Sequence, residues 1–283
     1  MEYITLNNGA KMPALGFGTF GLAADGTAKR CVLAALQAGY RHIDTAHGYL
    51  NEREVGEAIK ESGVKREDIW LTTKIWPTEY PDAEAAVDRA LERLGVEYLD
   101  LVYLHHFLGD VKAGWRGLEA AVRHGKVRSI GISNFERSDE YKAFFEGIDI
   151  TPAIAQMERH ITFTPDAYAA DLRSRGIACE AWFPLGGTVS RKAQLSLPEV
   201  QQVAEKHGKT GAQVLLRWQL QTGFAAVPGS ANEAHIAENL DIFDFTLDEA
   251  DLAALAKANR GKRVFDVPLS AQTDMIMGFK FND

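Results

Sequence analysis

The chain has 283 residues, 46% apolar and 25% charged, with a formal charge of −8. That composition allows a sizeable core and excludes a general nucleic-acid binder or a protein that clings to an anionic membrane surface. Its two cysteines, Cys31 and Cys179, both sit in apolar segments, so they read as buried free thiols rather than a disulfide framework, and no metal site is expected. The opening MEYITLNNGA lacks the basic and apolar regions of a leader, and no apolar run nears spanning length; the expectation is a cytoplasmic protein with no membrane partner.

In chain order, YITL, an Asn8-Gly9 turn and AKMPAL predict a hairpin. Strand-like and helix-like segments then alternate. The strand candidates are LGFGT, HIDT, WLTTK, LDLVYLH, SIGIS, AIAQME, ACEAW and AAVPG, short and apolar as strands covered on both faces should be. The helical patterns between them include TAKRCVLAALQAG, NEREVGEAIKESG, PDAEAAVDRALERLG, AGWRGLEAAVRHG and PDAYAADLRSRG. In the third, Val87, Ala90, Leu91 and Leu94 recur at i, i+3, i+4 and i+7. LPEVQQVAEKHG and TGAQVLLRWQLQTG are two helices between the last two strands, and TLDEADLAALAKAN follows the eighth. No linker interrupts the series. Eight strand–helix units predict an α/β fold, a (β/α)8 TIM barrel with a short N-terminal β-hairpin, as one domain over residues 1–283.

LGFGTFG (15–21) has the G-x-G-x-x-G spacing of a dinucleotide-binding turn. In such a turn the third glycine opens the helix, so that the helix N-terminus faces a pyrophosphate. Here LAADG separates Gly21 from a helix whose N-cap is read as Thr27. The spacing is a decoy.

In a barrel, functional groups gather where strands end. Asp44, Lys74 and His105 close consecutive strands, and Tyr49 follows Asp44 by five residues. Each alone has a plain reading as a solvated charge, half-buried packing or a satisfied core histidine; together they face one mouth. An ordinary phenol is too weak an acid at neutral pH, and burial weakens it further. An adjacent ammonium stabilises the phenolate, so Lys74 can serve Tyr49 while Asp44 keeps Lys74 charged. His105 can donate a hydrogen bond to an oxygen gaining charge. The set suits protonation of a carbonyl oxygen while hydride reaches the carbon, and the hydride must come from a cofactor.

Along essentially its whole length the sequence resembles the aldo-keto reductases, and within them a 2,5-diketo-gluconate reductase-like bacterial branch. YRHIDTAHGYLNEREVG (40–56) resembles the segment around the catalytic tyrosine, TTKIW the lysine segment and YLDLVYLHH the histidine segment. The resemblance implies a barrel that binds extended NADPH or NADH and reduces small aldehydes or ketones. It makes Tyr49 the acid, with Lys74 and Asp44 beneath it and His105 orienting the carbonyl. VRSIGISNF and AQMERH supply Ser133, Asn134 and Gln156 for the nicotinamide carboxamide, and EAWFPLGG supplies Trp182 to stack on the ring. VPGSANEAHIAENLDIFDF supplies Ser230, Glu238 and Asn239 for the adenosine phosphate. Gly18, Thr19, Asp44 and Leu185 complete the implied cofactor-binding set, and a monomer is the family-like expectation.

Three segments depart from the family pattern: His106-Phe107 for Trp-Pro, Ala155 before the glutamine, and Phe183 after the stacking ring. Candidate pocket walls are Phe20, Trp76, His106 and Phe107. NADP-specific relatives carry Lys and Arg where this chain has Gly229 and His235. Charged hydrogen bonds are worth about 1.5–3 kcal/mol each, so weakened selectivity for NADPH is expected. The alternatives are a cofactor-binding regulatory subunit with slow catalysis and a barrel isomerase or aldolase using Lys74 as a Schiff base.

Overall fold

In the computed structural model, which describes residues 1–136 and 140–281, β1 (Tyr3–Thr5) and β2 (Lys11–Pro13) pair antiparallel with Ile4 opposite Met12. The turn between them holds Gly9 at φ 86°, a left-handed conformation that glycine adopts without a steric penalty. Leu6 and Met12 pack on Trp70, Leu101, Tyr103 and Ile154, so the hairpin stoppers one end of the barrel. Asn7 and Asn8 fasten it by donating to Pro152 O at 2.8 Å and Ser129 Oγ at 2.9 Å.

Eight parallel strands follow: β3 (Phe17–Gly18), β4 (His42–Asp44), β5 (Trp70–Ile75), β6 (Leu99–Leu104), β7 (Val127–Ser133), β8 (Ile154–Glu158), β9 (Ala178–Trp182) and β10 (Ala225–Ala226). Each is hydrogen-bonded to the next in chain order. The two ends meet: Leu15 bridges Ala226, and Gly18 N donates to Pro228 O at 3.0 Å. The architecture is the expected (β/α)8 barrel with its N-terminal hairpin.

Alternation along each strand sorts side chains into two cores. In β6, Leu101 and Tyr103 point into the barrel, while Val102 and Leu104 join the layer beneath the helices. The helices are α1 (Thr27–Ala38), α2 (Glu52–Glu61), α3 (Ala83–Leu94), α4 (Val111–Arg123), α5 (Tyr141–Phe144), α6 (Asp166–Ser174), α7 (Gly187–Leu195), α8 (Pro198–His207), α9 (Gly211–Gln221), α10 (Glu233–Leu240), α11 (Glu249–Ala256) and α12 (Leu269–Met277). The stripe read in α3 is buried at Val87, Ala90 and Leu94.

Three expectations change. Thr27 is the first helical residue of α1 rather than its N-cap; Gly26 holds the cap at φ 92°, and Asp25 Oδ1 accepts from Thr27 N at 3.1 Å. α7 is a third helix between β9 and β10, and α10 and α12 add to the single helix read after the eighth strand. These segments are short and lack a long apolar period, so neighbouring elements rather than their own pattern define them.

The glycines of the decoy have packing roles. A Cβ at Gly16 would lie 2.6 Å from His42 Nδ1, and one at Gly18 would lie 2.7 Å from Val227 O. Both let the barrel seam close, and neither opens a helix.

Candidate active site

Lys74 sits near the end of β5, side by side with Tyr103 of β6, with its side chain inside the barrel and 1% exposed. An ammonium there has no water and needs protein acceptors. It donates to Asp44 Oδ1 at 2.6 Å and to Thr45 O at 2.9 Å. Its third bond is with the phenol of Tyr49. Burial works to lower the Lys74 pKa, but the Asp44 carboxylate and Tyr49 outweigh it and leave it above the ordinary lysine value. The amine is therefore held as a cation.

Tyr49 ends a 3₁₀ turn, His47–Tyr49, placed by the loop after β4. Its ring is partly exposed at the mouth, while its hydroxyl reaches down to Lys74. Burial raises the phenol to about 12; Lys74 pulls downward, and Asp44 pushes up again. The ammonium acts in the expected direction, and in this state burial is the larger effect.

His105 follows β6, with its ring edge-on to Tyr49 at 5.7 Å and to Trp76 at 5.1 Å. Burial, then His106 and Lys74, hold its pKa well below the usual histidine range, so the ring is neutral. Its Nδ1 is buried and has no partner among the described residues. Such an orphaned atom, next to a phenol and an ammonium, marks a place for a polar ligand.

The residues implied to hold the nicotinamide lie on adjacent strand ends, with Ser133 beside Gln156 and Gln156 beside Glu180. Asn134, at φ 60°, donates to His105 O at 2.9 Å and Ser133 Oγ at 3.1 Å. Its Oδ1 accepts from Trp182 Nε1 at 2.9 Å, which pins the indole at the mouth. Leu185 is buried just beyond. Thr19 N donates to Asp44 O at 2.9 Å. This constellation fits a flat heteroaromatic amide: a partly exposed, fixed indole, with amide and hydroxyl groups beside it. Gln156 is more committed than expected, because its Nε2 already donates to Asp44 Oδ2 at 2.9 Å and Glu180 Oε2 at 2.7 Å.

In the segment after β10, Ser230 Oγ accepts from Asn232 N at 3.1 Å, ahead of α10. His235 is exposed, Asn239 is buried, and Glu238 accepts from Thr210 Oγ1 at 2.5 Å. A Cβ at Gly229 would stand 2.5 Å from Gly18 O, so a longer side chain there requires the backbone to move. Glu233 adds a carboxylate, paired with Arg30 at 2.9 Å.

Of the candidate pocket walls, Phe20 is 60% exposed and meets Tyr49 edge-on at 5.1 Å. Trp76 packs on His106 at 5.2 Å and on Phe279 at 5.5 Å. Phe107 instead packs edge-on against Phe135 at 4.9 Å, in the helix layer.

Sequence reasoning missed Glu180, Tyr103 and His42, which join the tetrad from inside the barrel, and the C-terminal rings of Phe279 and Phe281. Glu180 left one signal: a carboxylate in the apolar run ACEAW, two residues before Trp182 and so on the same face of the strand. Phe281 stacks on His47 at 3.5 Å, and no local pattern announces that contact.

The chain matches the Aldo/keto reductase family over residues 14–260. It is 39% identical to the morphine 6-dehydrogenase of Pseudomonas putida, over 98% of this chain and 97% of that one. It is 42% identical to the glyoxal reductase of Bacillus subtilis, over 93% and 95%. A crystal structure of a Bombyx mori aldo-keto reductase in complex with NADP superposes with a TM-score of 0.87 at 33% identity, covering 96% of this chain and 97% of that chain. The buried lysine between carboxylate and phenol thus sits in a barrel matched nearly end to end by known reductases, and this chain is an oxidoreductase of the aldo/keto reductase family.

Proposed function

We propose that the protein reduces small aldehydes and ketones to alcohols with NADPH or NADH, Tyr49 giving the proton. What carries this reading is the three-way contact at Lys74: one buried cation shared by Asp44 Oδ1 at 2.6 Å and the Tyr49 phenol. A nicotinamide cofactor supplies the hydride that no side chain can. Trp182, Ser133, Asn134 and Gln156 would hold its nicotinamide end, and the Gly229–Asn239 segment its adenosine end.

The chain's own groups do the rest. The carbonyl oxygen enters between His105 and Tyr49, where the neutral imidazole donates a hydrogen bond. As negative charge grows on that oxygen, the phenol proton moves to it and the phenolate left behind is stabilised by the Lys74 ammonium. Asp44 keeps that ammonium charged. Water returns the proton to Tyr49 after the alcohol leaves. A Schiff-base role for Lys74 is disfavoured by the same contacts, since a nucleophilic amine must be neutral.

Loss of reduced-cofactor absorbance with a reactive aldehyde tests the assignment. Tyr49→Phe is expected to lower kcat by about a hundredfold to ten-thousandfold; equal rates would refute Tyr49 as the acid. For the cofactor, Gly229, exposed His235 and the carboxylate of Glu233 favour use of NADH as well as NADPH. The expected ratio of the two Kd values is under about a hundredfold, given 1.5–3 kcal/mol for each missing cation. A larger preference for NADPH would refute it. The monomeric, cytoplasmic state expected from the sequence belongs to the same proposal.

A further inference from the structure

Among the buried charges for which the chemistry above has no use is a carboxylate inside the barrel. Glu180 lies in the middle of β9, fully buried, level with Gln156 of β8 and Ala225 of β10. Its Oε2 accepts from the Tyr103 hydroxyl at 2.9 Å and from Gln156 Nε2 at 2.7 Å. The same Nε2 donates to Asp44 Oδ2 at 2.9 Å, and Asp44 Oδ1 takes the Lys74 ammonium at 2.6 Å. Its Oε1 has no hydrogen-bond partner among the described residues and stands 4.0 Å from His42 Nδ1. An unbroken run of hydrogen bonds thus leads from Glu180 through Gln156, Asp44 and Lys74 to Tyr49. A barrel interior needs no carboxylate for packing, and burying one without its own cation is costly. The position does not read as filler.

We propose that Glu180 is a positioning residue of this active site: it holds the Gln156 amide against Asp44, and the presence or absence of its charge sets how acidic Tyr49 is. The proposal rests on the reductase reading above. The groups facing Glu180 are Asp44 and His42 from β4, Lys74 from β5, Tyr103 from β6 and Gln156 from β8; Cys179 of its own strand turns outward to Ala169 O. Lys74 is thus the cation that Glu180 and Asp44 share. Burial, then Asp44, raise the Glu180 carboxyl to about 7, against the pull of Gln156, Tyr103 and Lys74. Ionised, Glu180 opposes the phenolate of Tyr49; protonated, it leaves more of the Lys74 field to Tyr49. Rising pH removes its proton to solvent, weakens Tyr49 as an acid and slows reduction.

Tyrosinate absorbance, taken as the difference between wild type and Tyr49→Phe, follows the Tyr49 phenol without turnover. In a Glu180→Gln background the same difference is expected to titrate about one pH unit lower. An unshifted titration overturns the proposal. In turnover, kcat of the wild type is expected to step down as pH rises through the neutral range, and Glu180→Gln to lack that step. Tyr103→Phe, which removes one donor to the ionised carboxylate, should move the step up by about half a unit or more. If Glu180→Gln does not fold, Tyr103→Phe decides: an unmoved step, or no step in the wild type, overturns the proposal. Absence of Tyr49-dependent turnover would instead refute the reductase reading and leave the absorbance titration to decide Glu180.

Discussion

A lysine that no water can reach must receive its counter-charges from the fold, and Lys74 receives them from the preceding strand, β4, and the loop after it. Single side chains carry comparable loads nearby. Asn51, 1% exposed, donates from Nδ2 to Thr19 O and Leu22 O, both at 3.0 Å, and accepts from Thr45 Oγ1 at 2.9 Å. It ties the β3 loop to the β4 loop that presents Tyr49. Asn51→Ala strands two carbonyls and a hydroxyl, and each buried orphan costs about 1–3 kcal/mol. We expect a loss of about 3 kcal/mol or more in urea unfolding, with kcat falling as Tyr49 loses its support. As a proposed set, Asp44, Lys74 and His105 could be picked out at this scale because their chemical types stand at strand ends, where a barrel collects function, and Tyr49 because it lies in the loop just past Asp44. Glu180 and Gln156 were not legible as partners, since 24 residues separate them in the chain and their contact exists only once β8 and β9 are in register.

Elements are held by their ends as much as by their faces. α11 opens with a capping box in which Asp248 Oδ1 accepts from Asp251 N at 2.9 Å and Asp251 Oδ2 accepts from Asp248 N at 3.0 Å. Asp251 also takes Lys206 Nζ and His207 Nε2 from α8, each at 2.7 Å. Burial works to raise its carboxyl, but Lys206, His207 and the Asp248 N–H prevail and hold it at about 2, below the ordinary 3.8. A carboxyl depressed in the folded state contributes stability that is complete above its unfolded pKa and is lost as pH falls toward the folded one. Asp251→Asn keeps an acceptor but removes the charge that meets Lys206 and His207, so it is expected to lower stability at neutral pH by about 1 kcal/mol. Thermal unfolding followed downward from pH 5 should show wild type and variant converging between about 4 and 2. A gap that stays constant would refute the linkage. The pairing of α8 with α11 could not be read locally: TLDEAD announces a helix start, but not which lysine closes over it.

Across the whole molecule, the C-terminal tail returns to the mouth of the barrel. Trp76 Nε1 donates to Ile276 O at 2.8 Å, Phe279 leans on Trp76, and Phe281 lies flat on His47. Ending the chain at Gly278 removes both rings from the side of the mouth where His105 lies. Aromatic pairs contribute about 0.5–1.5 kcal/mol each, so KM for an aldehyde is expected to rise about threefold to tenfold. Because the Lys74 contacts are untouched, kcat should change less. Unchanged KM would show that the tail does not help form the pocket.

Local pattern along the chain carried the number and order of the strands and most of the helices, and it proposed the four residues of the tetrad. Those properties follow from short-range periodicity and from the chemical types placed where strands end, both written within a few residues. Which side chains share the buried ammonium, how far burial outweighs it at Tyr49 and which rings flank the mouth were settled by the folded chain. Each of those depends on desolvation and on contacts between distant segments, and neither exists until the barrel has closed between Leu15 and Ala226.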